Sequence, residues 1–339
     1  MIKKFNPSIS IIRVIAMISI IVGHWLTMKG INHFQFGAIG VQVFLFISGW
    51  LQSEKQIDNF PKWFLAKAKR IMLPYYIGLV LIIVLRFFLH IGTSKEAILI
   101  HAINLQGLSK LISFADVSVI TGYGHTWFLT ILAICYLLTA CLKKFPGIDG
   151  AVRRNRKVWL IISIIAQVIL MYLGIQIGGL LCYFYGYYIK HEESPQKSNF
   201  LVLTVVMLLS TALRFLVYIH SHESLAYNII FTWSFIALGI WLSLLGMLIC
   251  ERFREKSYHI ATSKLWRLLD LASYPLFLMH YMFLKGDLSV EKWDANNSLF
   301  QVLLFIVLST LGAAVVMLTT DWHKTISIIR TGSSNRGLE

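Results

Sequence analysis

Long apolar runs, broken by short basic clusters, make up most of the chain. A membrane-spanning helix needs roughly 20 mostly apolar residues. The pattern predicts ten such runs, at about residues 8–27, 36–53, 72–91, 125–143, 158–173, 175–190, 200–219, 228–250, 268–285 and 299–320. The fifth and sixth are short and joined by a GIQIGG turn, so a single crossing there is the alternative. The expected fold is all-α, a polytopic transmembrane helical bundle. Segment 92–124 is the longest connection, and its AILIHAINLQGLSKLI portion suits an interfacial helix. There is no fixed-period repeat and no Pro/Gly/Ser linker, so residues 1–339 are expected to form one domain with no appended soluble domain.

Composition agrees with this class. Hydrophobic residues make up 57% and charged residues 14%, against about a quarter charged in soluble domains. Mean hydropathy is +0.69. The net charge of +15 would suggest nucleic acid on a soluble protein, but here the placement of the charge decides. With a cytoplasmic N-terminus, inner segments hold 23 of the 31 Lys and Arg. Outer segments hold only Lys29, Lys95, Lys110, Lys285 and Lys292. Positive charge is retained on the cytoplasmic side of membrane proteins, so both termini are expected there. Merging spans five and six would put a large basic loop outside. The charge is therefore a topology signal with attraction for anionic lipid, and no nucleic-acid partner is expected. The first run, Ile9 to Leu26, is too long for the core of a signal peptide, and no small-residue cleavage site follows it. Cys135, Cys141, Cys182 and Cys250 form no CxxC pair and no metal-like spacing. They read as core- or lipid-facing residues, and no metal is expected.

Ionisable groups inside spans are costly and are functional candidates by default. Arg13 and His24 lie in the first span, Arg86 in the third, Arg214 in the seventh and His280 in the ninth, while His125 opens the fourth. None of the sixteen Asp and Glu falls mid-span; Asp270 and Asp321 come nearest, at inner ends. The arginines are therefore expected to lack an internal carboxylate, and either snorkel or await an anionic ligand. Arg13 and His24 are eleven residues apart, about 20° from three full turns, so they share a helix face at roughly 16 Å axial separation. That suits an extended ligand with its charged part near Arg13 and its reactive end near His24. Packing and catalysis both remain open for His24 on this geometry.

Four further stretches carry candidate chemistry. In FGAIGVQVFLFISGWL, Gly37, Gly40, Ser48 and Gly49 allow close helix approach, and Ser48 has no adjacent base to make it a nucleophile. In WFLAKAKRIMLPYY, Lys67, Lys69 and Arg70 form either a topology anchor or a phosphate grip. In YGHTWFL, His125 and Trp127 sit at an outer helix start, as an interfacial aromatic pair or a sugar-facing mouth. In SYPLFLMHY, Tyr274 and His280 flank Pro275, and His280 lies at a depth comparable with His24.

Together these motifs resemble the acyltransferase 3 family of membrane acyltransferases. RVIAMISIIVGH is similar to the family's R-x10-H signature, and GAIGV…FISG to its G-x-x-G-V…F-x-x-S-G segment. KAKR before Pro74 resembles its basic loop, and HTWFL and SYPLFLMH its later motifs. Ser10 stands where the family often has aspartate, and Lys67 where R-x-x-R would begin with arginine. The resemblance implies transfer of an acetyl or similar acyl group from cytoplasmic acetyl-CoA or another acyl-CoA. The acceptor would be a sugar hydroxyl of a surface or exported polysaccharide such as O-antigen, lipopolysaccharide or exopolysaccharide, reached as a sugar or lipid-linked glycan. It implies a multi-pass protein of the bacterial inner membrane. Carried over, His24 is general base or transient acyl carrier, and Arg13 holds CoA phosphate or stabilises an oxyanion. Lys67, Lys69 and Arg70 would meet the CoA nucleotide. His125, Trp127, His280, Arg86, Arg214 and Tyr274 are the candidates around the acceptor. The alternatives are a transporter or flippase for a glycolipid or anionic solute, and a non-catalytic partner of polysaccharide assembly.

Overall fold

Each run expected to span the bilayer contains a helix in the computed structural model. It describes residues 6–31, 36–53, 57, 59–108, 120–172, 179–189, 197–221, 225–293 and 298–331. All regular structure among these is helical. In chain order the helices are α1 (Pro7–Met28), α2 (Phe36–Ser53), α3 (Phe60–Phe88), α4 (Lys95–Ala102) and α5 (Trp127–Lys144). There follow α6 (Pro146–Arg154), α7 (Arg156–Tyr172), α8 (Leu180–Tyr188), α9 (Lys197–Ser221) and α10 (Leu225–Arg252). The last three are α11 (Arg254–Thr262), α12 (Lys264–His280) and α13 (Ser298–Thr331). Single 3-10 turns lie at Gln106–Leu108, Gly124–Thr126, Tyr281–Phe283 and Val290–Lys292.

Six helical stretches are long and apolar enough to cross a membrane: Pro7–Met28, Phe60–Phe88, Gly124–Lys144, Phe200–Tyr218, Ile229–Arg252 and Ser298–Arg330. Ile39–Ser53 and Lys157–Ile169 are shorter apolar helices. The protein is a multi-pass integral membrane protein. The described part of α8 is nine residues, about 14 Å of helix, well short of the roughly 30 Å hydrocarbon layer. The turn expected at 174–178 and the 109–112 end of the interfacial segment lie outside the described residues.

Local signals set several helix starts. The Asn6 side chain accepts from the Ser8 N–H with Pro7 following, and Asn59 caps α3 in the same way before Pro61. Ser94 caps α4 and Ser263 caps α12. The α3 start differs from expectation. The Lys62–Arg70 stretch, placed before the third span and likened to a basic loop, is the first third of a continuous 29-residue helix. A helix leaving an apolar slab continues in water wherever propensity allows, so charge marks the slab's edge rather than the helix's end. The α13 helix bends at Asp321, where φ is −130° and ψ 35°.

At the centre, α2 packs on α1, α8 and α10 through missing side chains. A Cβ on Gly40 would lie 2.4 Å from the Ala16 carbonyl oxygen of α1, and one on Gly49 1.8 Å from that of Tyr183 in α8. Gly186 of α8 returns the contact against Phe46. Small residues let helix backbones touch where lipid supplies no hydrophobic drive. By contrast α9 leans on α10 and leaves Leu201, Leu208, Leu209 and Phe215 exposed, a lipid-facing surface.

Candidate functional site

α1 and α12 run side by side in the same direction and meet through polar groups at two levels. At the first level Arg13 Nε donates to Asp270 Oδ1 at 2.7 Å and its Nη2 to Oδ2 at 3.0 Å. The Asp270 side chain is 8% exposed and that of Arg13 26%. The expectation of arginines without carboxylates is therefore wrong for Arg13. Asp270 sits near the inner end of its own span, as noted from sequence, but so does Arg13, and parallel packing brings the two ends together. Ser10, where an aspartate would have stood one turn away, keeps a buried hydroxyl with no partner. The carboxylate comes from α12 instead.

At the second level, eleven residues along α1 and ten along α12, His24 stacks on His280 with ring centres 5.4 Å apart. Tyr281 lies 4.6 Å from His24 and 4.9 Å from His125. His125 lies 5.2 Å from His280. Three histidines from α1, the 3-10 turn before α5 and the end of α12 thus share one aromatic cluster. Two of them are pinned. His125 Nε2 is 2.7 Å from the Phe277 carbonyl oxygen, and His280 Nδ1 is 2.8 Å from the same oxygen and 3.1 Å from that of Leu276. The last carbonyls of a helix have no N–H beyond them to accept, which leaves Phe277 open to both rings. His125 and His280 are buried, whereas His24 is half-buried, and its ring takes no hydrogen bond among the described residues. Lys285 is near enough to act on His24 electrostatically. Among the described residues no group of His, Cys, Asp and Glu is arranged to hold a metal ion.

A third group of residues braces this cluster. Arg86, 6% exposed, donates to Thr93 at 2.8 Å, Thr121 at 2.9 Å, Asp287 at 2.9 Å and the Gly92 carbonyl. Like Arg13, it has the carboxylate partner that sequence did not lead us to expect; Asp287 lies in the connection after α12, far from Arg86 in the chain. Two left-handed glycines lock the same corner. Gly122 (φ +84°) abuts the Lys285 carbonyl and Gly286 (φ +91°) abuts Thr121. The segments carrying His125 and Tyr281 are thereby tied together.

The basic group lies on the other flank. Lys67 Nζ is 5.1 Å from the Tyr136 ring centre. Lys69 and Arg70 are exposed. Trp63 packs edge-on to Tyr136 at 6.1 Å, and its indole N–H is buried without an acceptor. Tyr274 donates to the Ile71 carbonyl at 2.8 Å. It links this face of α3 to α12 one turn from Asp270, and its hydroxyl is so engaged.

The structure therefore gathers His24, His125 and His280, and sets Arg13, Tyr274 and the basic group toward the other end of α1 and α12. Trp127 packs on the apolar core two residues past His125. Arg214 is held between Phe231 and Phe235, 4.6 and 4.7 Å from their centres. These contacts place it on α10 rather than beside the histidines. Sequence reading missed Asp270, Phe277, Tyr281 and Asp287 as members of the site. Two signals were present: Asp270 precedes His280 by ten residues, echoing Arg13 and His24, and Tyr281 adjoins His280.

Across the known proteins, the family described as an acyltransferase domain matches residues 6–319. No curated protein matches the chain, and no solved structure does.

Proposed function

The chain belongs to the acyltransferase 3 family, and from that premise we propose that it is a membrane O-acyltransferase. It moves an acetyl or similar acyl group from cytoplasmic acyl-CoA to a hydroxyl of a sugar in a surface or exported polysaccharide, such as O-antigen or exopolysaccharide. It works in the bacterial inner membrane, with ten crossings and both termini in the cytoplasm.

The observation that carries this reading is the histidine cluster. His24 is the one ring of the three that is partly open and not committed to a backbone carbonyl. That suits a general base, which must exchange a proton with substrate. His24 takes the proton of the acceptor hydroxyl as its oxygen attacks the acyl carbonyl, and gives it up as the donor leaves. Of the two roles carried over for Arg13, distance favours donor binding: at roughly 16 Å along α1 from His24, Arg13 is too far to touch the acyl carbonyl oxygen.

The residues on the Lys67 flank fit the anionic end of acyl-CoA. Lys67, Lys69 and Arg70 supply positive charge, and the Trp63 N–H is a buried donor in need of an acceptor. When bound there, acyl-CoA supplies its acyl group as an activated thioester. Tyr274 stands between the two ends, six residues or about 9 Å below His280. That spacing lets an extended donor lie along α12 with its phosphates by α3.

Mass spectrometry of the surface glycan from producing cells tests the reading. O-acyl groups are expected with the wild-type protein and absent with His24→Ala at equal expression. O-acyl groups that persist in the variant would remove His24 from catalysis. A glycan without them even in the wild type would remove the reaction.

A further inference from the structure

His125 and His280 are pinned to one oxygen through opposite nitrogens. Each ring must donate to the Phe277 carbonyl, which can only accept. Hydrogen therefore sits on Nε2 of His125 and on Nδ1 of His280. In neutral rings this leaves Nδ1 of His125 and Nε2 of His280 bare. Those are the two ring nitrogens that are buried with no hydrogen-bond partner. Buried polar atoms are nearly always satisfied, and two unmet acceptors in one aromatic cluster, beside a partly open third histidine, are more than packing asks for.

A bare imidazole nitrogen accepts and cannot donate. The pair therefore repels phosphate, carboxylate and carbonyl oxygens, and satisfies itself only with a ligand that brings hydrogens. We propose that these two nitrogens read hydroxyl groups of the acceptor, so that the site takes a polyol presenting neighbouring hydroxyls. His24 removes the proton of one hydroxyl, and His125 Nδ1 and His280 Nε2 accept from those beside it. The assignment rests on the O-acyl transfer reading and narrows its acceptor from a lone sugar hydroxyl to one flanked by neighbouring free hydroxyls. The ring of His24 lies against that of His280 and the ring of Tyr281 against that of His125, and a hydroxyl reaches the buried nitrogens when these neighbouring side chains rotate. The Arg86 and glycine locks hold the backbone of both segments while this happens.

The test uses full-length protein in detergent micelles with histidine labelled in nitrogen-15. His125→Gln and His280→Gln serve for assignment. Nitrogen chemical shifts report which ring atom carries hydrogen and whether the bare one accepts a bond. Free protein is expected to show opposite tautomers, each with an unbonded bare nitrogen. Titration with cis-1,2-cyclohexanediol is expected to shift both bare nitrogens. Cyclohexanol, the same ring with one hydroxyl, is expected to bind at least tenfold more weakly. Matching tautomers, a doubly protonated ring, bare nitrogens already bonded to buried water and unmoved by the diol, or equal response to the two alcohols would each overturn the proposal. Transfer from radiolabelled acetyl-CoA is measured separately. If transfer occurs with no preference for the diol, the polyol assignment fails alone. If the diol shifts the nitrogens but no transfer occurs, the reaction assigned to His24 fails alone.

Discussion

Replacing Asp270 by asparagine separates two explanations of Arg13, as a donor-binding cation or as half of an interhelical clamp. The substitution keeps the shape of the side chain and removes its charge. Arg13 gives Asp270 two charge-assisted bonds, at 2.7 and 3.0 Å, and such bonds contribute about 1.5–3 kcal/mol each. An amide oxygen can retain one of them weakly. The Arg13 side chain, 26% exposed, can also turn toward water, which reduces the loss below the 3–5 kcal/mol seen when a fully buried pair is broken. The expected destabilisation is about 2 kcal/mol, read by denaturation in mixed micelles. Arg13→Gln should cost about as much, and the double variant should cost little more than either. The coupling energy in the double-mutant cycle is then more than about 1 kcal/mol. Additive effects would mean that the two side chains do not depend on each other, and the register of α1 against α12 would need another cause. If Asp270→Asn weakens binding of radiolabelled acetyl-CoA far less than Arg13→Gln does, Arg13 has a donor role beyond the clamp.

Three further outcomes follow from named contacts. Gly49→Ala puts a methyl group where the Tyr183 carbonyl oxygen already lies and should separate α2 from α8, with loss of monodisperse protein on gel filtration; Gly147→Ala, which has open space, should behave as wild type, and a well-folded Gly49→Ala would contradict the close packing. The slight burial of Asp287 would raise its pKa, but hydrogen bonds from Thr121, Lys292 and Arg86 outweigh that and hold the carboxyl below its ordinary value. Its contribution is thus present above about pH 4 and lost as pH falls through the lowered value. Protection from hydrogen exchange in residues 284–293, taken relative to the intrinsic rate at each pH, should fall at low pH in the wild type and be low at all pH in Asp287→Asn; identical profiles would refute the brace. Burial pushes His101 down to about 4, and its Nε2 accepts from the Ile120 N–H at 3.3 Å. The stability that neutral His101 lends is full above about pH 6.5 and declines by about 3 kcal/mol in all as pH drops toward 4. Exchange of the Ile120 amide should follow that window, and a flat response would remove His101 from the account.

Helix positions were legible because hydropathy acts locally. The α2 bounds match their prediction, and those of α1 differ by one residue at each end. The start of α3 was not legible, because charge reports the edge of the apolar layer and not where hydrogen bonding begins. The carboxylates opposite Arg13 and Arg86 were hidden for a different reason. Asp270 is 257 residues from Arg13, and Asp287 is 201 from Arg86, and nothing in a local pattern states which helices run parallel or in what register. His24, His125 and His280 could each be picked out as polar residues in apolar surroundings. That they meet, with one carbonyl pinning two of them, depends on where α12 ends, and only the fold shows it.

In the proposed mechanism His24 passes a proton during acyl transfer. The direct measurement is single-turnover transfer of radiolabelled acetyl from acetyl-CoA to the isolated surface glycan by purified protein. Wild type is expected to form labelled ester, with a rate at least a hundredfold above that of His24→Gln, while Arg214→Gln, on the α9–α10 face, keeps the wild-type rate. Equal rates in wild type and His24→Gln, with acetyl-CoA bound equally by both, would contradict it.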